Sequence, residues 1–261
     1  MPYTTDTVAP LWWEESGDGE PVLLVMGHIY GLGMWHRVRP VLAERYRVIC
    51  FDNRGVGRSR RASGPYSIAD MAADAFAVLD AAGVSSAHLY GASMGGLIVQ
   101  EMALTRPDRV RSLVLACTGC PSDEADPPRR SRGWRYRIPT RLLTGVIRRT
   151  MYSADVPKDL VDEDLRILVG TKTSAAALTE QAHAIGAYRS RDRVGQISTP
   201  TLVLHGTADT VVAYERGVEL AEHIPGARLH TIDGAGHNFT TEATVEANDA
   251  VLDFLAAHPM G

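Results

Sequence analysis

Ala87-His88-Leu89-Tyr90-Gly91-Ala92-Ser93-Met94-Gly95-Gly96-Leu97-Ile98-Val99-Gln100-Glu101-Met102-Ala103-Leu104-Thr105 is the stretch whose reading decides the fold. It opens on an apolar run of strand length, Ala87–Tyr90, and closes on a helical pattern, Met94–Thr105, that Pro107 terminates. Between them lies Gly91-Ala92-Ser93-Met94-Gly95, a G-x-S-x-G pattern on a tight strand-to-helix turn. A serine held there projects its hydroxyl above the sheet. Gly91, Ala92 and Gly95 let neighbouring backbone pack close around it.

The same alternation extends outward in both directions. Val22–Met26, Val48–Phe51, Leu113–Ala116 and Thr201–His205 are further short apolar runs, as expected of strands buried on both faces of a parallel sheet. Helical patterns fall at Trp35–Arg45 and Ile68–Ala82, the second with Ser67 as N-cap and Gly83 just past its end. Strands alternating with helices predict a doubly wound α/β fold. Tyr3–Ala9 and Leu11–Glu15 have no helix between them and are expected to form an antiparallel hairpin at one edge. After Cys120 the alternation stops. Residues 121–195 open with Pro121, Pro127 and Pro128 and read as helices without strands. They are expected to form a helical lid on one core made of 1–120 and 196–261.

A serine hydroxyl is a weak nucleophile, so Ser93 needs a base, and the base needs an orienting carboxylate. Asp209 follows the strand Thr201–His205, where open α/β sheets place functional groups. His237 follows the last strand, Arg228–Ile232, on the glycine-rich loop Asp233-Gly234-Ala235-Gly236. The chain order Ser, acid, His suits this architecture. Asp123 is the alternative acid, whereas Asp233 is too near His237 in sequence to reach round its ring. Donors to a developing oxyanion are expected from the backbone amides of Met94 and His28, the latter in the loop Gly27-His28-Ile29-Tyr30-Gly31. Ile29 and Tyr30, with Trp134 and Tyr136 from the lid, are candidate pocket residues.

Gly27-His28, Asp52-Asn53-Arg54-Gly55-Val56-Gly57-Arg58-Ser59, Gly91–Gly95, Pro200–Asp209 and Gly234–His237 appear in one order along the chain. In this the chain resembles the lid-bearing α/β-hydrolase family of 3-oxoadipate enol-lactonases, C–C bond hydrolases, esterases and cofactor-free haloperoxidases. The resemblance runs from about residue 20 to the C-terminus, the lid excepted. It implies an α/β-hydrolase fold: a mostly parallel eight-stranded sheet flanked by helices, with a helical lid inserted after the sixth strand. It also implies a bracing role for Asp52 and Arg54. Many relatives carry His-Gly where this chain has Met26-Gly27, a departure that leaves the backbone amide available. Ser93 speaks against the carboxylate nucleophile of haloalkane dehalogenases.

The 261 residues are 45% apolar and 22% charged with net charge −4, ordinary for a globular chain. That balance offers nucleic acid no basic field. No apolar run approaches the roughly 20 residues of a membrane span. The N-terminus lacks a basic start followed by an apolar stretch, so the cytoplasm is the expected location. Cys117-Thr-Gly-Cys120 matches C-x-x-C, but it follows an apolar run and not a strand-to-helix turn, so buried structural thiols are expected. Residues 129–149 carry eight arginines and no acid, either a solvated basic face or, through Arg135 and Arg137, a site for an anionic substrate or an acidic carrier protein. The expected activity is hydrolysis of a small carboxylic ester or lactone, with no metal and no cofactor. C–C bond hydrolysis, thioester hydrolysis and a non-hydrolytic binding or cyclase role stand as alternatives.

Overall fold

Seven strands form one sheet in the order β1-β3-β2-β4-β5-β6-β7. They are β1 Trp13–Ser16, β2 Pro21–Val25, β3 Arg47–Phe51, β4 Ala87–Ala92, β5 Val110–Ala116, β6 Thr201–Gly206 and β7 Arg228–Ile232. The computed structural model describes residues 3–4, 9–60, 64–123 and 140–260, and the side chains of these except 140–143. β1 pairs antiparallel with β3, and every other pairing is parallel.

The continuous apolar runs have the physical cause expected of them. Leu23, Leu89 and Leu113 enter the core on one face of the sheet, and Leu24, Tyr90 and Val114 the core on the other. Helices α1 Arg39–Leu42, α2 Ile68–Ala81, α3 Met94–Thr105, α4 Thr140–Met151, α5 Lys158–Gly170, α6 Ala175–Ala187, α7 Arg191–Val194, α8 Tyr214–His223, α9 Phe239–Glu242 and α10 Thr244–Ala256, with 3-10 turns at Leu32–Trp35 and Pro107–Arg109, complete the described elements. α2 begins at a capping box. The Ser67 hydroxyl accepts the Asp70 amide, and the Asp70 carboxylate accepts the Ser67 amide at 2.7 Å. It ends before Gly83, at φ +68°.

Three expectations need correction. The eight-stranded sheet has seven strands among the described residues, where the N-terminal hairpin is represented by the antiparallel bridge of Tyr3 with Trp12. There the Thr4 amide donates to the Leu11 carbonyl at 3.0 Å, and the Leu11 amide donates to the Thr4 side-chain oxygen at 3.0 Å. Among the described residues the helical segment follows the fifth strand, where the sixth was expected. The single helix expected at Trp35–Arg45 is a 3-10 turn, Leu32–Trp35, and the short α1, because Pro40 has no N–H to continue a helix through that point.

Between β5 and β6 the described residues hold only helices, α4 to α7. β2 leads to β3 on one side and β4 lies on its other side, so the strand order reverses between β2 and β4. Loops that leave the carboxyl ends of strands at such a reversal frame a crevice.

Candidate active site

Ser93 caps β4 at φ 55° and ψ −117°, a left-handed backbone that a non-glycine residue holds only when its surroundings dictate it. Two glycines make the turn possible. A Cβ at Gly95 would overlap the Val25 carbonyl of β2, and one at Gly91 would overlap the Gly95 carbonyl. The Ser93 amide donates to the Ala116 carbonyl at 2.9 Å, which ties the turn to the end of β5. Met94 is the first residue of α3, where amides lack intrahelical acceptors.

The loop after β2 comes directly against this serine. A Cβ at Gly27 would stand 3.1 Å from Ser93 Cβ and 3.6 Å from its Oγ. His28, next in the chain, places Nε2 2.9 Å from the Leu178 carbonyl of α6, and burial lowers its pKa. Ile29 takes φ 69°, and its amide donates to Gln181 Oε1 at 3.4 Å.

Asp209 and His237 are brought together from loops 28 residues apart. His237 Nδ1 lies 2.7 Å from Asp209 Oδ2. Both residues are buried. Oδ1 of the same carboxylate accepts the amides of Val211 and Val212 at 2.8 and 2.9 Å. A second imidazole, His205 on β6, brings Nε2 within 3.3 Å of Oδ2 and 2.9 Å of the Val212 carbonyl. Burial pushes the Asp209 carboxyl up, but hydrogen bonds from His205, His237 and the Val212 amide outweigh it and hold the group well below the usual carboxylate range. The two loops also brace each other, since the Ala208 amide donates to the Ala235 carbonyl at 2.9 Å.

Ser93 and His237 line one cavity of about 160 Å³, together with His28, Ile29 and Tyr30. Its walls are mainly apolar, with Met26, Met34, Trp35, Met151, Val211 and Phe239 among them. Trp35 is buried against Tyr90 at 4.9 Å between ring centroids, so it serves both packing and the cavity wall. Trp134 and Tyr136 lie outside the described residues, as do Arg129, Arg130, Arg132, Arg135 and Arg137. Arg148 faces Asp162 at 3.8 Å, and Arg149 donates to the Gly145 carbonyl.

Several sequence candidates are placed elsewhere. Asp123 is exposed and pairs with Arg189 at 2.6 Å. Asp233 accepts from the Thr207 hydroxyl at 3.0 Å. Asp52 accepts the amides of Leu32 and Arg58, and buried Arg54 pairs with buried Asp74, both away from the cavity. Cys117 and Cys120 are free and buried. Burial raises both thiols, Cys120 to about 11 and Cys117 well above the usual thiol range. Cys117 lines the cavity beside Ser93. The sequence reading missed His205 and Asn238; they sit within four residues of Asp209 and His237, and that proximity is the signal that could have found them.

A family model described as the α/β hydrolase fold matches residues 20–150, and one described as TAP-like protein matches residues 173–259. A relative from Azorhizobium caulinodans, whose name proposes it as the carbamate hydrolase RutD, is 34% identical over 97% of this chain and 98% of its own. The chain belongs to the α/β hydrolase fold family. This α/β hydrolase is also 28% identical to 3-oxoadipate enol-lactonase 2 of Acinetobacter baylyi, over 90% of this chain and 89% of the relative. Among solved structures, the enol-lactonase of Burkholderia xenovorans superposes with a TM-score of 0.88 at 26% identity, covering 98% of this chain and 100% of that one. A thermophilic esterase of Thermogutta terrifontis gives 0.88 at 26% identity, covering 100% and 99%. Among the described residues, no helix is long and apolar enough to cross a membrane.

Proposed function

We propose that this α/β hydrolase cleaves a small, neutral carboxylic ester or lactone through an acyl-enzyme on Ser93. The observation that carries the proposal is the cavity shared by Ser93 and His237, with the imidazole held from behind by a buried carboxylate at 2.7 Å. With Nδ1 committed to Asp209, Nε2 is the nitrogen that takes the Ser93 proton as the hydroxyl attacks the carbonyl. Asp209 fixes the tautomer and stabilises the imidazolium. The amides of His28 and Met94 receive the oxyanion, each such donor contributing about 3 kcal/mol in the transition state. His237 then returns its proton to the leaving oxygen. Water, deprotonated by the same imidazole, releases the acid.

The cavity supports the choice of substrate. Its volume of about 160 Å³ suits a group near the size of benzene, since dry cavities of roughly 150 Å³ hold that ligand. Its described lining includes no Lys or Arg. The mainly apolar walls suit an uncharged acyl group. Residues 121–195 act as the lid in this reading, because Met151 of α4 lines the cavity and Leu178 of α6 holds His28. The names of the relatives, an enol-lactonase and an esterase among them, support acyl chemistry at the level of the family.

The test is a panel of short esters, lactones, thioesters and vinylogous diketones against wild type and Ser93→Ala. Turnover of short neutral esters or lactones, abolished by the substitution, is expected. Ester turnover that survives Ser93→Ala, or a strict preference for diketones, contradicts the proposal.

A further inference from the structure

One short stretch at the end of α4, residues 150–153, is tied to both loops that carry Asp209 and His237. Thr210 Oγ1 donates to the Thr150 carbonyl at 2.9 Å. The Asn238 amide donates to the Met151 carbonyl at 2.8 Å. The Ser153 amide donates to the Glu242 carboxylate, 3.2 Å from Oε1 and 3.1 Å from Oε2. Glu242 Oε1 in turn accepts the Gly236 amide at 3.1 Å. The last carbonyls of a helix have no partner within it, so Thr150 and Met151 have acceptors to offer. The amides on both sides of His237 thus end either on this stretch or on a carboxylate that also holds it.

The attachment continues one layer deeper. The Tyr152 hydroxyl donates to Asp164 Oδ2 at 2.8 Å, and the Thr241 hydroxyl donates to the same oxygen at 2.6 Å. Tyr152, Asp164 and Thr241 are all buried. There is no slack at the junction, because a Cβ at Gly236 would stand 2.9 Å from Glu242 Oε1, from the Ser153 nitrogen and from the Tyr152 carbonyl carbon.

We infer that Glu242 is a positioning residue for His237, clamping the base loop to residues 150–153 so that this part of the lid and the imidazole move as one unit. Glu242 does not line the cavity and acts only through the backbone of Gly236 and Ser153. If residues 150–153 lift, the Asn238 amide loses its acceptor and the carboxylate that holds Gly236 loses its second anchor. Closure of the lid at this point therefore sets the imidazole in place, and opening there releases it. The inference rests on the reading of His237 as the base for Ser93.

The test compares Glu242→Ala, Glu242→Gln and Ser153→Pro with wild type, with kcat expressed per active site titrated by a fluorophosphonate. Wild type that takes no label at Ser93 disproves the Ser–His reading itself, before any variant is compared. Given labelling, Glu242→Ala is expected to lose between about tenfold and a hundredfold in kcat with KM within about twofold, the scale set by a misplaced catalytic group. Glu242→Gln keeps a carbonyl oxygen for both amides and recovers most of that loss. Ser153→Pro removes the lid-side donor and reproduces the Ala phenotype with Glu242 intact. Full kcat per site in Glu242→Ala, whatever its melting temperature, overturns the inference. If that variant yields no titratable sites, full kcat per site in Ser153→Pro overturns it instead.

Discussion

Asp209→Asn removes one charge and almost no volume, and the structure dictates how the amide must sit. Oδ1 of Asp209 receives two backbone amides, at 2.8 and 2.9 Å. An NH2 group cannot face two N–H donors, so the asparagine oxygen keeps that position and its nitrogen takes the place of Oδ2. That nitrogen then confronts His237 Nδ1, now 2.7 Å from a carboxylate oxygen. To meet a donor, Nδ1 must give up its proton, which moves to Nε2. The imidazole then presents an N–H to the cavity and cannot accept from Ser93. His205, with Nε2 3.3 Å from the same oxygen, meets the new NH2 as well. A wrong tautomer of this kind costs about 10⁴ in kcat, or about 5 kcal/mol. The assay is steady-state hydrolysis of p-nitrophenyl acetate, normalised to folded protein by circular dichroism. A loss smaller than about tenfold, or a loss confined to KM, would refute the reasoning, because it would mean that the tautomer of His237 does not govern turnover.

Gly95→Ala should lower the melting temperature and the yield of folded protein, since the new methyl group overlaps the Val25 carbonyl; overpacking of this kind costs about 1–3 kcal/mol, read by urea denaturation. Ser112→Ala should leave kcat intact and cost about 1–3 kcal/mol, because it strips the 2.7 Å partner from the fully buried Nδ1 of His88. Burial lowers the pKa of both His28 and His88, so the unfolded chain takes those protons first, and stability should decline as pH falls below about 6.5. Urea titrations of wild type and His28→Gln between pH 7.5 and 5 should show a shallower decline in the variant, with the remainder due to His88. Equal slopes would mean that His28 is protonated as easily folded as unfolded.

Ser112, His88 and Glu20 show why residue types alone do not make a site. His88 Nδ1 lies 2.7 Å from Ser112 Oγ, and its Nε2 lies 3.4 Å from Glu20, so a serine, a histidine and an acid meet away from the cavity. Ser112 is fully buried on β5 among strand contacts, and it lines none of the described cavities. Position at the carboxyl end of a strand separates Ser93 from Ser112, and that position was legible in the sequence. The Ala87–Thr105 stretch, the glycine-rich turn and the strand before Asp209 all carry local signals, because fully buried parallel strands read as apolar runs. The end of α3 at Thr105 followed from Pro107.

What the sequence left dark depends on pairs far apart in the chain. Glu242 bonds Ser153 across 89 residues, and Thr241 bonds Asp164 across 77. No periodicity marks such partners, and a glutamate on a four-residue helix reads as a solvated charge. Pro40 divides the apolar spacing of Trp35–Arg45 into a 3-10 turn and a short helix.

The nucleophilicity of one hydroxyl on the β4–α3 turn is most directly measured by intact-protein and peptide mass spectrometry after brief exposure to a fluorophosphonate. One adduct per chain on the peptide containing Ser93, absent in Ser93→Ala and slowed by orders of magnitude in His237→Ala, is the outcome required. An unlabelled wild type, or an adduct that persists after Ser93→Ala, would contradict it.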